Sequence, residues 1–152
     1  MTAAVAPEPL APLLARLEQA PAALLALGIP RCPACSLLPA TLGAIAEARP
    51  GLAVGLTLFV EEGDWALRET LLWPRGIRVS RSSVPALVVL RDGRAVASRA
   101  GGAPAHLLDA WLAETLGPAA KALPPEPTPE ERAALAATAP RRVQHLQARG
   151  LE

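Results

Sequence analysis

Cys32 and Cys35 are the only cysteines in the chain. They stand three positions apart in the stretch Gly28-Ile29-Pro30-Arg31-Cys32-Pro33-Ala34-Cys35. Side chains at that spacing on a helix's first turn face one way, and Pro33 is placed to start a helix. The two sulfurs can then close a short disulfide or present together to a partner. The first falls where unpaired backbone N–H groups and the positive end of the helix dipole favour a thiolate. Arg31 adds a neighbouring positive charge. These features point to thiol–disulfide exchange. The plainer alternative is a pair of small buried residues that never react. A metal site would need ligands beyond two thiolates. The two histidines, His106 and His145, fall on expected helices without ligand spacing and read as surface residues.

Length argues against a purely structural disulfide. A chain of 152 residues has room for one domain and an extension, and buries roughly 70% of its unfolded surface. A bridge across so short a loop also restricts the unfolded chain only slightly. The formal net charge of +1 favours neither nucleic acid nor an acidic membrane surface. The N-terminus lacks the basic residues of a signal peptide, and prolines at 7, 9 and 12 interrupt it. No apolar run reaches the roughly 18 residues of a membrane span. The expectation is a cytoplasmic protein with no membrane partner. No phosphate loop, dinucleotide fingerprint or Ser/His/Asp order is present, so no bound cofactor is expected.

The pair must be held by elements on either side. Residues 1–8 read as a flexible lead. Leu10, Leu13, Leu14 and Leu17 recur at helical spacing, predicting a helix over 9–19. Ala22 to Leu27 is a short apolar run that fits a fully buried strand, although propensity favours helix. Gly28 and Pro30 end it, so the cysteines follow its carboxyl end, where reactive groups sit in open α/β sheets. Leu37, Leu38, Leu42, Ile45 and Ala46 predict a helix from Pro33 to Arg49, kinked at Pro39. Leu52 to Val60 suits a parallel strand joined through that helix as a crossover. Trp65 to Trp73 reads as a short helix and 74–83 as a loop. Ala86–Leu90 and 95–99, separated by Asp92-Gly93, predict a hairpin. A helix over about 105–116 ends at Gly117. Residues 118–129 read as a proline-rich linker, and 130–152 as a C-terminal helical extension opened by a capping box at Thr128.

Arranged in this order, the chain resembles the thioredoxin-like superfamily over roughly residues 9–117. The resemblance rests on Cys32-Pro33-Ala34-Cys35 and on Gly76-Ile77-Arg78 upstream of Val84-Pro85. It rests further on Leu87–Leu90 with Asp92-Gly93, and on Gly101-Gly102 at the end of the second hairpin strand. It implies an α/β thioredoxin fold: a central mixed sheet of about four strands flanked by helices, with the C-terminal extension added. It also implies a cis proline at Pro85 facing the cysteines, with the backbone at Val84 pairing with substrate. Cys32 would be the nucleophile and Cys35 the resolving thiol. Arg31, Pro33, Ala34, Val84, Pro85 and Gly101 would contact substrate, with no metal. The implied partners are protein disulfides or dithiols, with a thiol reductant, either a reductase protein or glutathione. Thioredoxins carry Trp before the first cysteine, Gly-Pro between the two, a buried aspartate on the preceding strand and a lysine on the next. Here those positions hold Arg31, Pro33-Ala34, Ala26 and Leu56. Two other readings stand beside this one: a thioredoxin-like adaptor with little turnover, and a glutaredoxin-like, glutathione-dependent reductase using Cys32 alone.

The remaining features read as structure. Arg75, Arg78, Arg81, Arg91, Arg94 and Arg99 make a basic loop and hairpin edge, whose exposed charges are weak. The three tryptophans read as core or groove lining, and Ser80-Arg81-Ser82-Ser83 as loop composition.

Overall fold

Ala22–Gly28 forms strand β1, apolar throughout because both of its faces are covered. In this computed structural model, which describes residues 3–123 and positions 129, 130 and 133, β1 pairs in parallel with β2 (Ala53–Leu58) and antiparallel with β3 (Ala86–Arg91). Strand β4 (Arg94–Ala100) closes the hairpin on β3, giving the order β2-β1-β3-β4. The hairpin turns at Asp92 and Gly93, with φ of 51° and 81°. Two consecutive left-handed residues match the right-handed twist of the strands, which is why Asp-Gly serves there.

Side chains alternate across the sheet. Ala23, Leu25 and Leu27 of β1 and Val88 and Leu90 of β3 pack under α1 (Leu10–Leu17), together with Trp65, Leu72, Ile77 and Val79. Leu24 and Ala26, with Leu87 and Val89, face the other way. They meet Leu42 and Ile45 of α2 (Leu38–Ala48), Leu108 and Leu112 further along the chain, and both cysteines.

Several elements depart from the sequence expectation. Residues 3–8, expected as a flexible lead, lie along the outer edge of β2: Pro7 bridges Leu56, Glu8 N–H donates to the Leu56 carbonyl at 2.8 Å, and Val5 N–H to the Pro39 carbonyl at 2.9 Å. The expected helix over 33–49 is divided. Cys35–Leu37 is a 3-10 turn, and the α-helix begins only at Leu38. Pro39 therefore stands in the first turn of α2, where no intrahelical donor is missing, and no kink is required. Helix α3 spans Glu62–Leu67, and a π turn over Arg68–Leu72 and a 3-10 turn over Trp73–Arg75 follow. It starts before Trp65 because Glu61 and Asp64 form a capping box. Helix α4 is Ala105–Leu116. The linker beyond residue 123 and the C-terminal extension lie outside the described residues, apart from positions 129, 130 and 133. Among the described residues no helix is long and apolar enough to cross a membrane.

Helix α4 is fastened to α2 by Arg49. Its Nε donates to Asp109 at 2.6 Å and its NH2 to the Gly117 carbonyl at 2.8 Å, with the two side chains 7% and 15% exposed. A pair this buried is costly to break from one side, because the survivor keeps its charge without a partner. Asp109→Ala should lower unfolding stability by about 3–5 kcal/mol. Arg49→Met with Asp109→Leu should recover most of that loss, as read by urea denaturation.

Candidate functional site

The site is built at the carboxyl end of β1. The chain leaves the sheet at Gly28, passes Ile29 and Pro30, and turns at Arg31, whose φ is +60°. A left-handed non-glycine residue costs roughly 1–2 kcal/mol, and the turn aims the next residue back toward the sheet. The Cys32 sulfur then accepts a hydrogen bond from the Cys35 backbone N–H at 3.2 Å. The Ser36 N–H donates to the Cys32 carbonyl at 2.9 Å, and the Ser36 hydroxyl to the Pro33 carbonyl at 2.7 Å. These bonds make Cys32 the first residue of a helical entry, although the α-helix proper starts later.

Both cysteines are buried, Cys32 to 1% and Cys35 to 4% exposure, and no disulfide joins them. Cys32 is therefore not the exposed outer sulfur that its place in the sequence suggests. It belongs to the buried apolar cluster that also holds Ala26, Leu38 and Leu56. The Cys35 thiol is pushed far above the ordinary range, first by its hydrogen bond with Cys32 and then by burial, while the Ile29 backbone N–H acts the other way. Cys35 thus keeps its proton across neutral pH.

The other expected site residues gather unevenly. The Val84–Pro85 peptide bond is cis. Pro85 is buried and its carbonyl accepts the Gly101 N–H at 2.7 Å. Gly102, which the sequence reading noted only as a strand end, backs onto the Ala34 carbonyl and Pro85: a Cβ there would stand 3.5 Å and 3.9 Å from them. Ala34, Pro85 and the two glycines therefore share one surface. Pro33 and Val84 are half-buried, Ala34 and Arg31 exposed. Val84 is extended, with φ −94° and ψ 145°. Glu61 is exposed and occupied in capping α3. Among the described residues no cluster of His, Cys, Asp or Glu could hold a metal ion.

No family model matches the sequence, and no curated protein does. Solved structures do match. Reduced desulfothioredoxin from Desulfovibrio vulgaris Hildenborough superposes with a TM-score of 0.51 at 24% identity, covering 66% of this chain and 88% of that one. Thioredoxin f2 of Chlamydomonas reinhardtii gives 0.53 at 19% identity, covering 69% and 90%. Spinach chloroplast thioredoxin f gives 0.53 at 20% identity, covering 74% and 94%. The chain has the thioredoxin fold. Within it, Ala26 pairs directly across the strands with Leu56, so the positions that resemble a buried acid and its lysine hold an apolar contact. Among the described residues the only buried polar side chains are Arg49 and Thr57, and no buried carboxylate lies near the cysteines.

In the sequence alone Gly28 marks only the end of a strand. In the fold it lies against the Cys35 sulfur, which a Cβ at this position would crowd at 3.2 Å. A glycine closing a buried strand is the signal that could have suggested such a close approach.

Two outcomes follow from this geometry. Arg31→Val should unfold more easily than Arg31→Gly by about 1–2 kcal/mol, because a β-branched residue resists the left-handed region. Denaturant titration of the two variants measures it. The raised Cys35 thiol makes the folded state hold a proton that the unfolded chain releases near the ordinary thiol value of about 8.5. Its stabilising contribution is complete below that value and is lost as pH rises above it. Under reducing conditions the stability of the wild type should therefore fall with pH more steeply than that of Cys35→Ser, by up to about 1.4 kcal/mol per pH unit.

Proposed function

We propose that this thioredoxin-fold protein is an oxidoreductase that exchanges dithiols and disulfides with protein substrates. The observation that carries the reading is the hydrogen bond from the Cys35 N–H to the Cys32 sulfur, in a chain whose only two cysteines share that one site. A donor on the sulfur favours its thiolate, and the thiolate is the nucleophile. Cys32 attacks one sulfur of a substrate disulfide and forms a mixed disulfide, releasing the other substrate sulfur as a thiolate. Cys35 then attacks the Cys32 sulfur, closing the Cys32–Cys35 bond and freeing the second substrate sulfur. Run backwards, the same steps oxidise a substrate dithiol.

Substrate binding rests on backbone and small side chains. The extended Val84 pairs with the substrate chain as an added strand. Pro33, Ala34, Pro85 and Gly101 form the low surface beside it, and Arg31 supplies charge. The fold resemblance supports electrons arriving from a second thiol carrier, a reductase protein or glutathione, with no bound cofactor. A binding role with little turnover is the second reading, and the burial of Cys32 favours it.

Reduction of insulin disulfides with dithiothreitol as donor separates the two. An oxidoreductase accelerates precipitation of the insulin chains, and Cys32→Ser abolishes the acceleration. An adaptor gives none, and its partner binding survives loss of both cysteines. Cys35→Ser should accumulate a mixed disulfide on Cys32 in cell extract, identifiable by mass spectrometry. Accumulation that instead required loss of Cys32 would reverse the two roles. A stabilised thiolate also stabilises the reduced form, so the potential should lie above the roughly −270 mV of thioredoxin. Equilibration against glutathione buffers measures it, and a value at or below that figure contradicts the assignment.

A further inference from the structure

Cys35 has to attack from a pocket without a carboxylate to take its proton. Cys35 belongs to an apolar cluster that also holds Leu24, Ala26, Leu38, Leu42, Leu56 and Cys32. Gly28, the last residue of β1, lies against Cys35. A Cβ built on Gly28 would meet the Cys35 sulfur at 3.2 Å, the Cys35 Cβ at 3.3 Å and Leu58 Cδ2 at 3.2 Å. The Gly28 carbonyl is itself fixed, accepting the Phe59 N–H at 2.9 Å. The Cys35 side chain therefore rests on a rigid strand end, confined between Gly28 and Cys32.

Building on the oxidoreductase reading, we infer that Gly28 is a positioning residue for the resolving step, and that its lack of a side chain keeps the Cys35 sulfur in line with Cys32. In that step the Cys35–Cys32 bond forms and the bond from Cys32 to substrate breaks. The electron pair leaves on the substrate sulfur, and the proton given up by Cys35 is balanced by the one that converts that sulfur to a thiol. Attack by Cys32 on the incoming disulfide does not involve Gly28. A methyl group at position 28 crowds the Cys35 sulfur at 3.2 Å and displaces it by a few tenths of an ångström, and a misplacement of that order slows a step that depends on near-attack geometry. The effect falls on release alone.

The test is a two-stage measurement with one peptide disulfide. Formation of the mixed disulfide is timed in Cys35→Ser with and without Gly28→Ala. Release is timed in the chain with both cysteines, with and without Gly28→Ala. The expected result is unchanged formation and release slowed by about tenfold. Leu58→Ala, added to Gly28→Ala, opens the other side of the crowded site and should restore most of the rate, which also guards against a general folding defect. Equal release by Gly28→Ala and the wild type overturns the inference while leaving the oxidoreductase reading intact. So does equal slowing of both stages, or slowed release that Leu58→Ala leaves uncorrected. If Cys35→Ser forms no mixed disulfide at all, the oxidoreductase reading falls and takes the inference with it.

Discussion

A single hydrogen bond, from the Cys35 amide to the Cys32 sulfur, sets the arrangement of the whole site. It exists only if the chain reverses between the end of β1 and the start of the following helix. The left-handed Arg31 lies within that reversal. The 3-10 turn at Cys35–Leu37 follows from it. The amide that meets sulfur belongs to the first residue of that turn, and the α-helix can settle into its own geometry only at Leu38.

The apolar setting decides the electrostatics. Where the sheet's interior holds Ala26 beside Leu56, no carboxylate is buried among the described residues to accept a proton. Two thiolates in contact would repel in a medium that screens poorly. The site therefore admits one, and the Cys35 thiol carries the penalty of both burial and its neighbour. The hydrogen-bond donor that meets the Cys32 sulfur is a backbone amide. This ties the chemistry to strand-end geometry, and so to packing rather than to an ionisable side chain.

Around that centre the arginines act as structural cross-links. Arg68 and Arg81 both lie over the Trp65 ring, at 5.2 Å and 5.1 Å, and Arg81 also pairs with Glu62. Arg78 stacks on Trp73 at 4.5 Å. These contacts hold the segment that leads into Val84–Pro85 against α3. Arg49 plays the same part at the far end of the sheet, joining α2 to α4. The basic stretch before Pro85 is thus largely engaged with aromatic rings and carboxylates, which agrees with its reading as structure rather than as a docking surface for acids.

Much of this could be read from the sequence because it is local. Short apolar runs, the Asp92-Gly93 turn and the spacing of two cysteines are written in neighbouring residues, whose steric and hydrophobic preferences act over a few positions. They determined the strands, the hairpin and the chemistry available. Only the tertiary structure decided how deep Cys32 lies, that residues 3–8 bind the edge of β2, and that Gly28 is the floor of the site. Those depend on which distant surfaces meet. Burial is a property of the surroundings, and a residue without a side chain shows its purpose only when something else occupies the space it leaves.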